Sequence, residues 1–200
     1  MHELGVVRII RRMFFLALAL FTLPLLARAE TTYFPKGNEG WYSQHLAAMQ
    51  EPSLFQDRTN QAVEQYRFLW LRTFHKPIAV RIWKDNQAIH LRVIRLSGKG
   101  GYDPGKIEQD TTTTLTDEQW KTFLDLLQKS GFWDMPSKKV DEAGYDGAQW
   151  ILEGQASGKY RVVDRWSPAS DDHRHLENYV ACCRYLLTLA RLEIPKSEDY

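Results

Sequence analysis

The run Tyr66-Arg-Phe-Leu-Trp-Leu-Arg-Thr-Phe74 constrains this chain more than any other segment. On an extended backbone successive side chains alternate between faces, so Tyr66, Phe68 and Trp70 share one side and Leu69 and Leu71 the other. A strand that is apolar on both faces has to be covered on both. The run therefore predicts a central strand with packing above and below it.

Three more strands are expected beside it. Ile78 to Trp83 and Ala88 to Leu96 flank Asp85-Asn86, which reads as a two-residue hairpin turn. That turn sets Ile82 opposite Ile89, Val80 opposite Leu91 and Arg81 opposite His90, with the apolar sets in register. Lys106 to Thr114 carries a run of β-branched threonines. The best-marked helix follows. Thr116 and Gln119 form a capping box, and Leu115 with Trp120 forms a hydrophobic staple. Trp120, Phe123, Leu124 and Leu127 recur at helical spacing, and Gly131 ends the helix with Phe132 folding back on Leu127. A strand pair, Gln149 to Glu153 and Tyr160 to Trp166, is turned through Gly154 to Gly158. The last helix runs from about Asp172 to Leu192, with Leu176, Val180, Cys183, Leu187 and Ala190 on one face and its start capped by Ser170 to Asp172. A short helix over Trp41 to Met49 precedes the strands, closed at Glu51-Pro52. This order predicts an α+β fold: a single domain over 41–195 with one antiparallel sheet, a four-strand meander then a hairpin, and helices packed on one face. Residues 30–40 read as a flexible N-terminal arm and 196–200 as a C-terminal tail.

The N-terminus reads as an address. Arg8, Arg11 and Arg12 precede an uncharged stretch from Met13 to Leu26, and Ala27-Arg28-Ala29 supplies a small-residue cleavage site. This is the layout of a signal peptide over 1–29, cut after Ala29, with delivery to the periplasm or beyond. The apolar stretch is too short, and too interrupted by Pro24, for a spanning anchor. Four arginines and one glutamate leave with residues 1–29, so the net charge moves from +1 to −2. Neither value suits a nucleic-acid partner, and no membrane span is expected in the mature chain.

Five stretches carry a resemblance: Glu51-Pro52-Ser53-Leu54; Tyr66 to Val80; Gly100-Gly-Tyr-Asp-Pro-Gly105; Asp146-Gly-Ala-Gln-Trp-Ile-Leu-Glu-Gly154; and Tyr160-Arg-Val-Val-Asp-Arg-Trp-Ser-Pro168. Together they resemble a family of uncharacterised bacterial secreted proteins. The resemblance implies export and a single domain, and it brings no assigned activity or functional residue.

Several groupings bear on chemistry. Gly100-x₄-Gly105-Lys106 comes close to a phosphate-binding loop, but Ile107 stands where a magnesium-binding hydroxyl is needed and a strand follows, so a glycine-rich hairpin loop is the better reading. Asp171, His173 and His175 have the side chains of a metal site, although a helix start would splay the two histidines apart. No cofactor follows from the sequence. Cys183 falls on the apolar stripe of its helix, and Cys182 sits at the stripe's edge, accessible enough for an intermolecular disulfide. Arg72, Arg81, His90, Arg92 and Arg95 line up as an anion stripe or, better, as a solvated face. The densest polar–aromatic region holds Asp146, Trp150, Glu153, Tyr160, Arg161, Asp164, Arg165 and Trp166. Aromatics there could stack on a ligand and carboxylates could do acid–base work. Two functions are in play. The first is an exported, non-catalytic envelope module that binds a protein, peptide or cell-wall fragment through Trp150, Glu153, Tyr160, Arg161, Asp164, Arg165 and Trp166. The alternative is a small exported hydrolase, metal-dependent or not, using carboxylates of the 146–175 region.

Overall fold

The computed structural model describes residues 31–36, 41–138, 146–170 and 175–200. The signal peptide expected over 1–29, together with Asp171, Asp172 and His173, lies outside the described residues.

Six strands form one antiparallel sheet: β1 (Glu64–Arg72), β2 (Ile78–Lys84), β3 (Ile89–Leu96), β4 (Ile107–Leu115), β5 (Ala148–Ala156) and β6 (Lys159–Trp166). Their spatial order is β4-β3-β2-β1-β5-β6, a four-strand meander extended on its β1 side by a hairpin. Phe68 pairs with Val80 of β2 and with Leu152 of β5, so β1 is the internal strand that its two apolar faces demand. Gln65 to Arg72 are all buried. Each large apolar side chain so buried contributes ~1.5–3 kcal/mol.

The faces are covered unequally. Tyr66, Phe68, Trp70, Val80, Leu91 and Trp150 lie in one cluster with two long helices, α2 (Asp117–Lys129) and α3 (Glu177–Leu189). Leu69, Leu71, Ala79, Ile94 and Ile151 lie in another with α1 (Tyr42–Ala48), which brings Tyr42 and Leu46. The two long helices thus share a face, whereas α1 sits on the opposite one. The flexible arm expected over 30–40 is corrected where it is described. Tyr33 and Phe34 are buried in the α1 layer, because the second face of β1 needs a cover that a seven-residue helix cannot give alone.

Both hairpins turn differently from the sequence reading. Between β2 and β3 the loop is 85–88, not Asp85-Asn86, because Asp85 Oδ1 accepts from the backbone N–H groups of Gln87 and Ala88 at 2.8 and 3.0 Å. The side chain builds the turn and lengthens it. Ile82 therefore faces Leu91, Val80 faces Val93 and Arg81 faces Arg92, a slip of two residues that leaves every side chain on its expected face. Between β5 and β6 the turn shrinks to Ser157-Gly158, both at positive φ, as a tight hairpin requires. Gly154 lies inside β5, where an added Cβ would come within 2.8 Å of the Phe132 ring and 2.9 Å of the Tyr66 ring.

The expected punctuation of α2 is present. Thr116 Oγ1 accepts from the Gln119 N–H, Gln119 Oε1 accepts from the Thr116 N–H, and Gly131 at φ +68° closes the helix. The start of α3 is corrected from about Asp172 to Glu177. Ser170 Oγ donates to the Ser167 carbonyl within a Pro168–Ser170 turn, and α3 starts from Leu176 without a side-chain cap. His175 is left-handed at φ 53°, immediately before the helix. Cys182 is also corrected: it is fully buried, like Cys183, and burial pushes its thiol up to about 12. An intermolecular disulfide has no sulfur to reach on this surface.

The loop 97–105 shows why its glycines are there. Gly100 lies flat against the end of β1, where a Cβ would meet the Arg72 carbonyl oxygen at 2.5 Å. The N–H groups of Gly98, Lys99, Gly100 and Gly101 donate to Pro104, Asp103, His75 and Thr73. With those amides committed there is no phosphate cradle, and the strand β4 follows directly. Gly100→Ala is expected to lower stability by about 1–3 kcal/mol by prying this loop off the β1–β2 turn, measurable as a reduced urea midpoint with unchanged slope.

Candidate functional site

The polar–aromatic residues singled out from 146–166 do not share a surface. Neighbours on β5 and β6 alternate, so Trp150 pairs with Arg165 on the α2–α3 side, while Glu153, Tyr160, Asp164 and Trp166 belong to the other side. Trp150 is fully buried, and its Nε1–H donates to the Tyr200 carbonyl at 2.8 Å. Arg161 donates to the Trp133 carbonyl, and Arg165 to the carbonyls of Pro136 and Asp164. Asp164 accepts from the Tyr42 hydroxyl at 2.6 Å. Asp146 is exposed at the start of the segment. Of the metal candidates only His175 is described, and it is exposed at 89% beside Glu177. Among the described residues no three His, Cys, Asp or Glu side chains are grouped to hold a metal ion.

Glu153 belongs to a buried charge ladder that crosses the sheet beneath α1. It bonds both Nε and Nη2 of Arg67, which is itself fully buried, and it accepts from the Tyr160 hydroxyl at 2.8 Å. Glu51, delivered by the turn after α1, takes Arg67 and Arg81 on one oxygen at 3.3 and 2.9 Å and Arg92 on the other at 2.9 Å. Arg92 also grips Asp110 at 2.8 Å. Three guanidinium groups thus meet three carboxylates and the charge closes to zero. Burial pushes the Glu153 carboxyl up, against the pull of Arg67, and hydrogen bonding to Arg92 holds the Asp110 carboxyl down. Glu153 reaches no solvent and so cannot activate water.

The expected arginine stripe splits for the same reason. Arg81 and Arg92 join this ladder and His90 stacks on Trp83 at 4.8 Å, whereas Arg72 and Arg95 point to the other face. There, at the end of the sheet, they line an open cleft of about 720 Å³ between the β1–β2 turn, the loop 97–105 and the segment 191–198. Lys76, Lys99 and Arg191 add three cations, while Glu193 and Glu198 are the acids of its wall. Arg72 is 3% exposed, lies 4.2 Å from the Trp70 ring and holds Glu198 at 2.7 Å. Arg95 Nε is buried without a hydrogen-bond partner, 3.7 Å from Glu108, which Lys76 already holds at 2.7 Å. Phe74, on the wall, and Tyr102 are exposed at 47% and 59% and stack on each other at 6.4 Å. These are the features of a ligand surface: a concavity, oriented cations and exposed aromatics.

Sequence reasoning reached Arg72 and Arg95 but grouped them with the wrong partners, and it missed Lys76, Lys99, Arg191 and Glu198. The available signal was parity, since Arg72 and Arg81 lie on different faces once β1 and β2 pair. No protein-family model matches the chain, and no curated protein matches it.

One wall of the site hides a titrating group. His45 of α1 is fully buried, and neither ring nitrogen makes a well-formed hydrogen bond. Burial lowers its pKa from 6.5, while the backbone of Lys99 and Trp41 and the charge of Asp103 oppose the shift. The unfolded chain takes up a proton that the folded one refuses. This contribution to stability is therefore present above about pH 6.5 and is lost as the pH falls through the folded value, at no more than ~1.4 kcal/mol per pH unit. Urea midpoints at pH 7.5 and 5.5 should differ less in His45→Leu than in the parent. Glu51→Ala, which leaves three arginines facing one another, is expected to cost about 3–5 kcal/mol in the same assay at pH 7.5.

Proposed function

We propose that this chain is an exported, non-catalytic module of the bacterial envelope that binds a protein, peptide or cell-wall fragment through the cleft at the end of its sheet. The observation that carries the reading is the charge of that cleft. Five lysine and arginine side chains line it against two glutamates, and Glu108, held by Lys76, still leaves the cations in excess, on a chain whose net charge without residues 1–29 is −2. A local excess of that kind attracts an anionic group from solution and orients it. Arg72, buried and stacked, is already set for such a group, which lowers the ordering cost of binding. The hydrolytic alternative draws no support from Glu153, which is closed inside the ladder, or from Asp164, which accepts from Tyr42.

In-cell cross-linking of the tagged chain, followed by mass spectrometry, tests this reading when run beside the double variant Arg95→Glu, Lys99→Glu. Both side chains reach the surface and neither supports the core. One defined envelope component should be recovered with the parent and be depleted at least about tenfold with the variant, the scale of two lost charge contacts. Equal recovery from both would sink the assignment of the cleft.

A further inference from the structure

We infer that the ligand of the cleft is an acidic peptide segment bearing an aromatic residue, and that residues 196–200 of the chain itself hold the site until such a segment displaces them. The inference rests on the reading of the chain as a binding module and names its ligand.

Residues 196–200 fold along one edge of the site: Glu198 lines the cleft, and Asp199 and Tyr200 are bound beside it. A turn at Lys196–Glu198 sends the Glu198 carboxylate to Arg72 at 2.7 Å, with His75 Nε2 at 3.8 Å. Asp199 pairs with Arg184 at 2.6 Å. The Tyr200 hydroxyl is 2.9 Å from His75 Nδ1, and its carbonyl accepts from the buried Trp150 indole. Acid, acid and aromatic are thus each read by a different side chain of the fold, and a main-chain carbonyl is read by a core tryptophan. The aromatic side chain read by His75 has no equivalent in a sugar chain, which favours a peptide.

This occupation is partial and weakly anchored. Every residue from Arg191 to Tyr200 is exposed or only half-buried, so the segment sits at the low end of local stability. It leaves the cleft open and leaves cations unused. Among the described residues neither Lys99 nor Arg191 has a carboxylate within 4.0 Å, and Arg95 Nε has no hydrogen-bond partner. A longer acidic segment entering from a partner could take the place of Glu198 on Arg72 and reach these three as well. It would replace the Glu198 carboxylate on Arg72 by one of its own and add contacts to cations that the tail leaves unused.

The test is fluorescence anisotropy with the amidated, fluorescein-labelled peptide Lys-Ser-Glu-Asp-Tyr, titrated with the full chain and with the full chain carrying Glu198→Ala and Tyr200→Ala. Removing the competing side chains should tighten binding about tenfold, as expected if the tail fills the site about nine-tenths of the time. Tyr200→Phe, which removes only the contact to His75, should give a smaller gain of about twofold and guards against a fold defect in the double variant. Arg184→Glu, which reverses the charge that faces the second acid, should weaken binding at least about fivefold, and the same peptide with lysine in place of both acids should not bind. The inference is overturned if the tail variants bind no tighter than the parent, or if the charge-reversed peptide binds equally well. A soluble muropeptide run in parallel separates the two levels. Muropeptide binding that needs Arg95 and Lys99, with no peptide binding, rejects the peptide while keeping the binding module. Failure of both probes, together with cross-linking that ignores Arg95→Glu and Lys99→Glu, rejects both.

Discussion

A full positive charge stands in the middle of the central strand, and much of the second face of the sheet is arranged to neutralise it. Arg67 is flanked along β1 by Gln65 and Leu69 and is wholly buried. Leaving such a group unpaired would cost several kcal/mol, so two carboxylates have to be brought to it. Glu153 comes from β5, the strand directly beside it in the register. Glu51 comes from a different layer, and that requirement fixes the path of the chain after α1: Glu51 drops into the ladder, and Pro52 gives its carbonyl to the same guanidinium at 2.7 Å. Ser53 then ties the turn to the N-terminal segment through the Thr32 carbonyl at 2.6 Å, and Leu54 is fully buried. The Glu-Pro-Ser-Leu stretch is thus a structural clamp between layers.

That arrangement explains how the molecule divides its labour. The face under α1 spends the charges of its ladder on one another, with Arg67, Glu51 and Glu153 internal. The α2–α3 face is apolar through its middle; Arg161 and Arg165 at its β6 edge are taken up by main-chain carbonyls, and Arg72 and Arg95 lie at the end where β1 and β3 run out. Among the described residues of this face, the cations that line an open cleft are gathered at that end.

Much of this was legible in the sequence, and the remainder fails for identifiable reasons. Two-sided apolarity in Tyr66–Leu71, the capping box at Thr116 and the left-handed Gly131 are local signals and appear where they were read, although the strand stops at Arg72 and leaves Phe74 exposed in the turn. Register was harder. One side chain, Asp85, decided whether the first hairpin turned on two residues or four, and parity hid the difference because a slip of two keeps each residue on its face. The site was the least legible. The segment 146–166 looks chemical because it is dense in charge and aromatics, yet a strand inside a sheet distributes such residues to two faces. The cleft, conversely, is assembled from Arg72, Lys76, Arg95, Lys99 and Arg191, scattered along the chain, and no short window contains it. The end of α3 could not reveal that the segment beyond it folds back onto β1.

The pairing of β1 with β5 has a consequence for how the chain acquires its shape. The meander β1–β4 and helix α2 are built from neighbours in sequence and can form early. The other edge of β1, with Trp70 waiting for Trp150, stays open until the chain has been made or delivered through the second hairpin. During that interval the most apolar strand of the protein presents unpaired amide and carbonyl groups, the hallmark of a strand that sticks to other chains. Sealing this seam joins strands far apart in sequence, a kind of pairing that forms late. The molecule's greatest exposure to aggregation therefore falls before it is complete.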